Sequence, residues 1–124
     1  MFRTSVFAFA ALCLILAGCS SDSEDMLTSP ATNTCDTTTV SYSATITPLI
    51  NKYGCLSCHS GTAPVGGFVL TSYNAVKAKV DDGRLLGAIT HANGFSPMPQ
   101  GGNKMSECDI NQFRAWINRG ALNN

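Results

Sequence analysis

Cys55-Leu56-Ser57-Cys58-His59 is the stretch on which the reading of this 124-residue sequence turns. It has the pattern C-x-x-C-H. Two residues between the thiols let both reach one object, and the adjacent imidazole follows them. Three readings compete. A zinc ribbon needs a second close ligand pair, whereas Cys35 and Cys108 stand alone and far apart in sequence. A thioredoxin-like pair needs strands alternating with helices around it, and no such pattern appears. A plain structural disulfide leaves His59 without a role. Covalent haem attachment employs all three side chains. Each thiol adds across one vinyl group at an edge of the macrocycle, and the imidazole reaches the iron.

Haem iron held by one histidine takes a sixth ligand unless it binds small molecules. His91, Met98 and Met105 are the candidates downstream. Met98 lies in Ser96-Pro97-Met98-Pro99-Gln100-Gly101-Gly102. Prolines on both sides fix φ and remove donors, so this stretch is neither helix nor central strand. A stiff loop presents a thioether at a fixed place, and Met98 is the expected ligand. Met105 stands one residue before a helix cap and suits a core gap. His91 falls near a helix end. As a ligand it would give a bis-histidine haem of lower potential; otherwise it is an exposed or propionate-contacting side chain.

The chain order is C-x-x-C-H, a helical middle, the Pro-Met-Pro loop and a last helix containing Trp116. This order resembles class I cytochrome c over residues of about 40–122. The chain is shorter than the long mitochondrial pattern and more similar to small bacterial cytochrome domains. The resemblance implies an all-α fold, three to five helices around one covalent haem c. It implies thioether sites at Cys55 and Cys58, a proximal ligand at His59, a distal ligand at Met98, and crossing of the first and last helices.

Local signals supply the helices. Ser106-Glu107-Cys108-Asp109 reads as a capping box with Asp in place of Glu. Ile110, Phe113, Trp116 and Ile117 then form one apolar stripe, and Gly120 stops the helix. Thr47 reads as the cap of a first helix, with Pro48 at its first position and Gly54 turning the chain into the C-x-x-C-H motif. Two short middle helices are expected over 72–80 and 83–91, separated by Asp81-Asp82-Gly83. Phe68-Val69-Leu70 reads as a short extended piece. Phe68, Leu70, Leu85, Leu86 and Phe95 are the expected pocket walls.

The N-terminus reads as export machinery. Arg3 precedes an apolar run from Val6 to Ala17, which is signal-peptide length and too short to span a bilayer. Leu16-Ala17-Gly18-Cys19 resembles a bacterial lipobox. That implies removal of residues 1–18 and acylation of Cys19, giving stable membrane attachment. Residues 19–34 then form the lipidated cysteine and a Ser/Thr-rich flexible tether, with Asp22, Glu24 and Asp25 as solvated linker residues. Residues 35–124 form the folded domain. Six cysteines are present. Cys13 leaves with the signal, Cys19 takes lipid, and Cys55 and Cys58 take haem. Counting alone then pairs Cys35 with Cys108, in a compartment that permits disulfides.

Basic and acidic residues balance, eight against eight, and no basic stripe exists, so nucleic-acid binding is not expected. No Ser-His-Asp set, paired carboxylates or phosphate loop points to an enzyme. The expected role is electron transfer with redox protein partners, at the periplasmic or cell-surface face of a bacterial membrane. The alternatives are a haem subunit of a larger oxidoreductase complex and a five-coordinate haem sensor or peroxidase.

Overall fold

Ser41 opens the first helical segment. Its backbone is extended, and its Oγ accepts the Ala44 N–H at 3.1 Å. The turn that follows, Tyr42–Ile46, is a wide one of π type. Ile46 N–H donates to the Ser41 carbonyl at 3.1 Å, and Thr47 N–H donates to Tyr42. This turn runs directly into α1, Thr47–Lys52. Thr47 is therefore not the cap; the segment starts five residues earlier. The reason is Pro48. Its ring crowds the carbonyl one turn back and it donates no hydrogen bond. A wide turn placed just before it gives the ring room without ending the helix.

The computed structural model describes residues 35–124. The signal segment, Cys19 and the tether lie outside the described residues. Beyond α1, the helices are α2 (Tyr73–Asp81), α3 (Arg84–Ile89) and α4 (Glu107–Asn118), with short 3-10 turns at Cys55–Ser57 and Val65–Gly67. Among the described residues there is no strand, so the domain is all-α. Phe68 is extended, as its sequence suggests. Ser72 caps α2 by accepting the Ala75 N–H at 3.3 Å. Gly83, at φ 74°, separates α2 from α3.

The cap of α4 departs from the expected box. Ser106 Oγ accepts the Asp109 N–H at 3.1 Å, which is the first half. Asp109 is one methylene shorter than Glu and does not return the bond. Tyr53 returns it instead: its hydroxyl accepts the Ser106 N–H at 3.0 Å and donates to Asp109 Oδ2 at 2.6 Å. Lys52 Nζ adds a second bond to that oxygen at 2.7 Å. Burial pushes the Asp109 carboxyl up, but these hydrogen bonds outweigh it and hold the group below its ordinary range. The end of α1 is thereby tied to the start of α4. The packing of α4 is against the Tyr42–Ile46 turn and α3, so the expected crossing of first and last helices falls on the wide turn.

Gly120 ends α4 at φ 93°, donating to Ile117, while Ala121 donates to Trp116, both at 2.9 Å. This is a Schellman arrangement with glycine in the left-handed position. Trp116 Nε1 donates to the Leu122 carbonyl and the Tyr73 hydroxyl to the Ala121 carbonyl, so the tail folds back on the core. Ile46, Val76, Ile110, Phe113 and Trp116 are the most completely buried large side chains. Three of them belong to the expected α4 stripe, and Ile117 packs against them half-buried. Leu86, expected at the pocket, packs on this core instead.

Cys35 and Cys108 are joined by a disulfide, with Cα atoms 5.3 Å apart across a sequence separation of 73. Gln112 Nε2 donates to the Asp36 carbonyl at 3.0 Å and Arg119 donates to the Thr37 carbonyl. The first described residues are thus strapped along α4.

Candidate cofactor-binding site

Gly54, left-handed at φ 64°, reverses the chain after α1 and opens the Cys55–Ser57 turn. The Gly54 carbonyl accepts both the N–H and the hydroxyl of Ser57, at 3.0 and 2.7 Å. His59 N–H then donates to the Cys55 carbonyl at 3.0 Å. These bonds coil the five-residue motif so that both sulfurs and the imidazole belong to one turn. Cys55 is half-buried, Cys58 is exposed, and both thiols are free. Burial pushes the Cys55 thiol up. A redox-active pair of the thioredoxin kind needs its nucleophilic thiol pushed down, so that reading finds no support at Cys55.

His59 is only 7% exposed, and its ring stacks on Phe68 with centroids 4.3 Å apart. The following loop is pinned over it: Val65 N–H donates to the Cys58 carbonyl and Leu70 N–H to the His59 carbonyl, both at 2.8 Å. The Nδ1 atom of His59 is buried without a hydrogen-bond partner. A buried imidazole nitrogen left alone is costly unless something else engages the ring.

Two cavities meet at this residue. The larger, about 440 Å³, runs along Phe68, Leu70, Leu85, Ala88 and Phe95 and is mostly apolar. The smaller, about 240 Å³, touches Cys55, Cys58, Tyr53 and Pro99. His59 and Met98 line both. The structure therefore brings together all four residues singled out in the sequence. It also separates the three candidates for a sixth ligand. Met105 is 4% exposed within the core and lines neither cavity. His91 lines neither cavity; its Nε2 lies 3.0 Å from the Met98 carbonyl oxygen.

Close approach of backbone to ring shapes the far wall. The Phe95 ring lies directly on Gly87 of α3, where a Cβ would stand 2.5 Å from the ring carbon Cγ. Only glycine lets the ring reach this place. Sequence reading named Phe95 but missed the glycine beneath it, because a glycine inside a short helix carries no local sign of what lies on it. It also missed Lys79 and Arg84, two cations at the larger cavity. Lys79 Nζ stands 5.0 Å from the Phe68 ring centroid and bonds Asp82 at 2.7 Å. Lysines on a solvated helix face look alike in sequence.

Protein-family models, curated proteins and solved structures return no match to this chain.

The donor set limits the chemistry. Among the described residues, no group of three or more His, Cys, Asp or Glu side chains is arranged to hold a bare metal ion. Along the two cavities stand one imidazole, one thioether and two thiols. Such a set suits a large apolar group that brings most of its own donors and asks the protein for two axial ligands and two attachment points.

Proposed function

We propose that this protein is a monohaem c-type cytochrome that carries electrons, tethered to a bacterial membrane through lipid on Cys19. One observation carries the reading. His59 and Met98 share both cavities, and one of those cavities also touches both thiols of the C-x-x-C-H motif. The unpartnered ring nitrogen of His59, the apolar lining and the four donors together fit haem c. Bound haem supplies one-electron Fe(II)/Fe(III) chemistry. The chain's own residues set its terms. Cys55 and Cys58 would hold the haem through thioethers, each S–H adding across a vinyl double bond with no leaving group and no oxidant. His59 and Met98 would be its two protein ligands, and a thioether ligand beside imidazole would favour the reduced state. The apolar wall of Phe68, Leu70, Leu85 and Phe95 keeps water away and disfavours the extra ferric charge. Val65 and Phe95, 53% and 40% exposed, border the larger cavity and offer a redox protein partner an apolar rim. Ligation by Met98 would leave no open position for gas sensing or peroxidase chemistry.

Acid–organic extraction of the denatured protein tests the attachment. No haem is expected in the organic layer from the wild type, and essentially all of it from Cys55→Ala/Cys58→Ala. Free extraction from the intact protein would end the proposal.

Fractionation tests the tether. Wild type is expected with the membranes and Cys19→Ala in the released fraction. A Cys19→Ala protein that stays with the membranes would point to an anchor other than lipid.

A further inference from the structure

Helix α3 closes with the same pair of hydrogen bonds as α4, but where α4 is followed by left-handed Gly120 and Ala121, α3 is followed by a single left-handed residue that is not glycine. Ala92 N–H donates to the Gly87 carbonyl at 2.9 Å and His91 N–H to the Ala88 carbonyl at 3.2 Å. This is again a Schellman arrangement, and its left-handed position is filled by His91, at φ 57°. The chain places glycine in the left-handed position after α4, at Gly120, and again between α2 and α3, at Gly83. A side chain there is strained, because Cβ crowds the neighbouring carbonyl oxygen. The cap itself therefore gives no reason for histidine. The side chain does. Its Nε2 lies 3.0 Å from the Met98 carbonyl oxygen, and since a carbonyl only accepts, Nε2 carries the proton and donates. The Met98 N–H is held as well, by the Ala88 carbonyl at 3.1 Å. Both polar groups of residue 98 are thus fixed to one helix end, one by main chain and one by His91.

We infer that His91 is a positioning residue that fixes the Met98 main chain, and through it the thioether, toward the site shared with His59. It lines neither cavity and acts only through Met98. The inference rests on the cytochrome reading for its functional sense, but the contact it describes belongs to the chain alone. Local backbone strain is retained where the surroundings need the strained residue, and a loop that must hold one sulfur in place is such a setting.

Two variants of the full mature protein separate positioning from folding. His91→Gly removes the bond and relieves the strain. Its thermal midpoint is expected at or above that of the wild type. Its Met98 amide is expected to exchange about fivefold faster, the equivalent of one ordinary hydrogen bond. Its near-infrared sulfur-to-ferric-haem band should weaken, and its ferrous form should take up carbon monoxide at least about fivefold faster, as the same bond no longer opposes Met98 release. His91→Gln keeps a donor of similar reach and should restore most of the band. Unchanged Met98 exchange and an unchanged band in His91→Gly would overturn the inference. A lowered midpoint with an unchanged band would also overturn it, assigning His91 to the fold alone. Amide exchange reads the loop without reference to iron. If haem extracted freely, faster exchange in His91→Gly would still support the assignment while the cytochrome reading failed.

Discussion

Met98→Ala is expected to abolish the near-infrared band of sulfur on ferric haem, admit carbon monoxide to the ferrous protein and lower the reduction potential. Axial ligands govern a span of ~0.8 V, and loss of a thioether to water should cost on the order of 0.1 V of it. The cause is twofold. A soft sulfur that favours Fe(II) is gone, and the smaller side chain lets water into both cavities, since Met98 lines each. Met105→Ala provides the contrast. Met105 is buried in the core, so its truncation should cost ~2–5 kcal/mol of stability and leave the band alone. Optical spectra and a potentiometric titration of the two variants decide the matter. A band that survives Met98→Ala and disappears in Met105→Ala would assign the wrong sulfur. A wild type without the band, in which only a His91 variant takes up carbon monoxide, would make the haem bis-histidine.

Removing the disulfide should act in the opposite direction, on stability and not on the site. Closing a loop between Cys35 and Cys108, 73 residues apart, constrains the unfolded chain by ~4 kcal/mol in the chain-entropy account. For a domain whose total stability is of order 5–15 kcal/mol, that is a large share. Cys35→Ser/Cys108→Ser should therefore melt roughly 20 °C lower than the wild type, at the slope usual for domains of this size. Neither cysteine lines a cavity, so the optical spectrum of the folded variant should match the wild type. Calorimetry and spectra on one sample make the comparison. An unchanged melting temperature would mean that the strap made by Gln112 and Arg119 holds the segment without the covalent bond.

These two experiments divide the molecule along the same line that separates what was legible in the sequence from what was not. The C-x-x-C-H motif, the proline-flanked methionine and the cysteine count are local or arithmetical, and the structure brings those residues together. Ser106 caps its helix as its sequence suggests, because capping is decided within a few residues. The start of the first helix was misread because Pro48 signals a beginning, whereas a wide turn lets it sit inside a longer segment. Tyr53 follows directly on α1. Its hydroxyl completes the cap of α4, a bond between residues 53 apart that no local pattern announces. Leu85 and Leu86 are both expected at the pocket, but on a helix adjacent residues point about 100° apart, and only Leu85 faces the cavity. In sequence His91 reads as a ligand or as an exposed or propionate-contacting side chain. Its left-handed backbone and its reach to Met98 depend on where the loop returns, which is a tertiary fact.

The bond between Cys35 and Cys108 has a topological consequence. It turns residues 35–108 into a covalent ring, and Cys55, Cys58, His59 and Met98 all lie on that ring. A single peptide cleavage anywhere between residues 36 and 107, for instance in the exposed stretches at 61–63 or 100–104, opens the ring without releasing a piece. A cut at 61–63 leaves the C-x-x-C-H turn on one arm and the methionine loop on the other, joined through the disulfide, whereas a cut at 100–104 leaves both on the same arm. To part the imidazole from the thioether, a protease would need one cut between His59 and Met98 together with either a second cut elsewhere on the ring outside that span or a reductant.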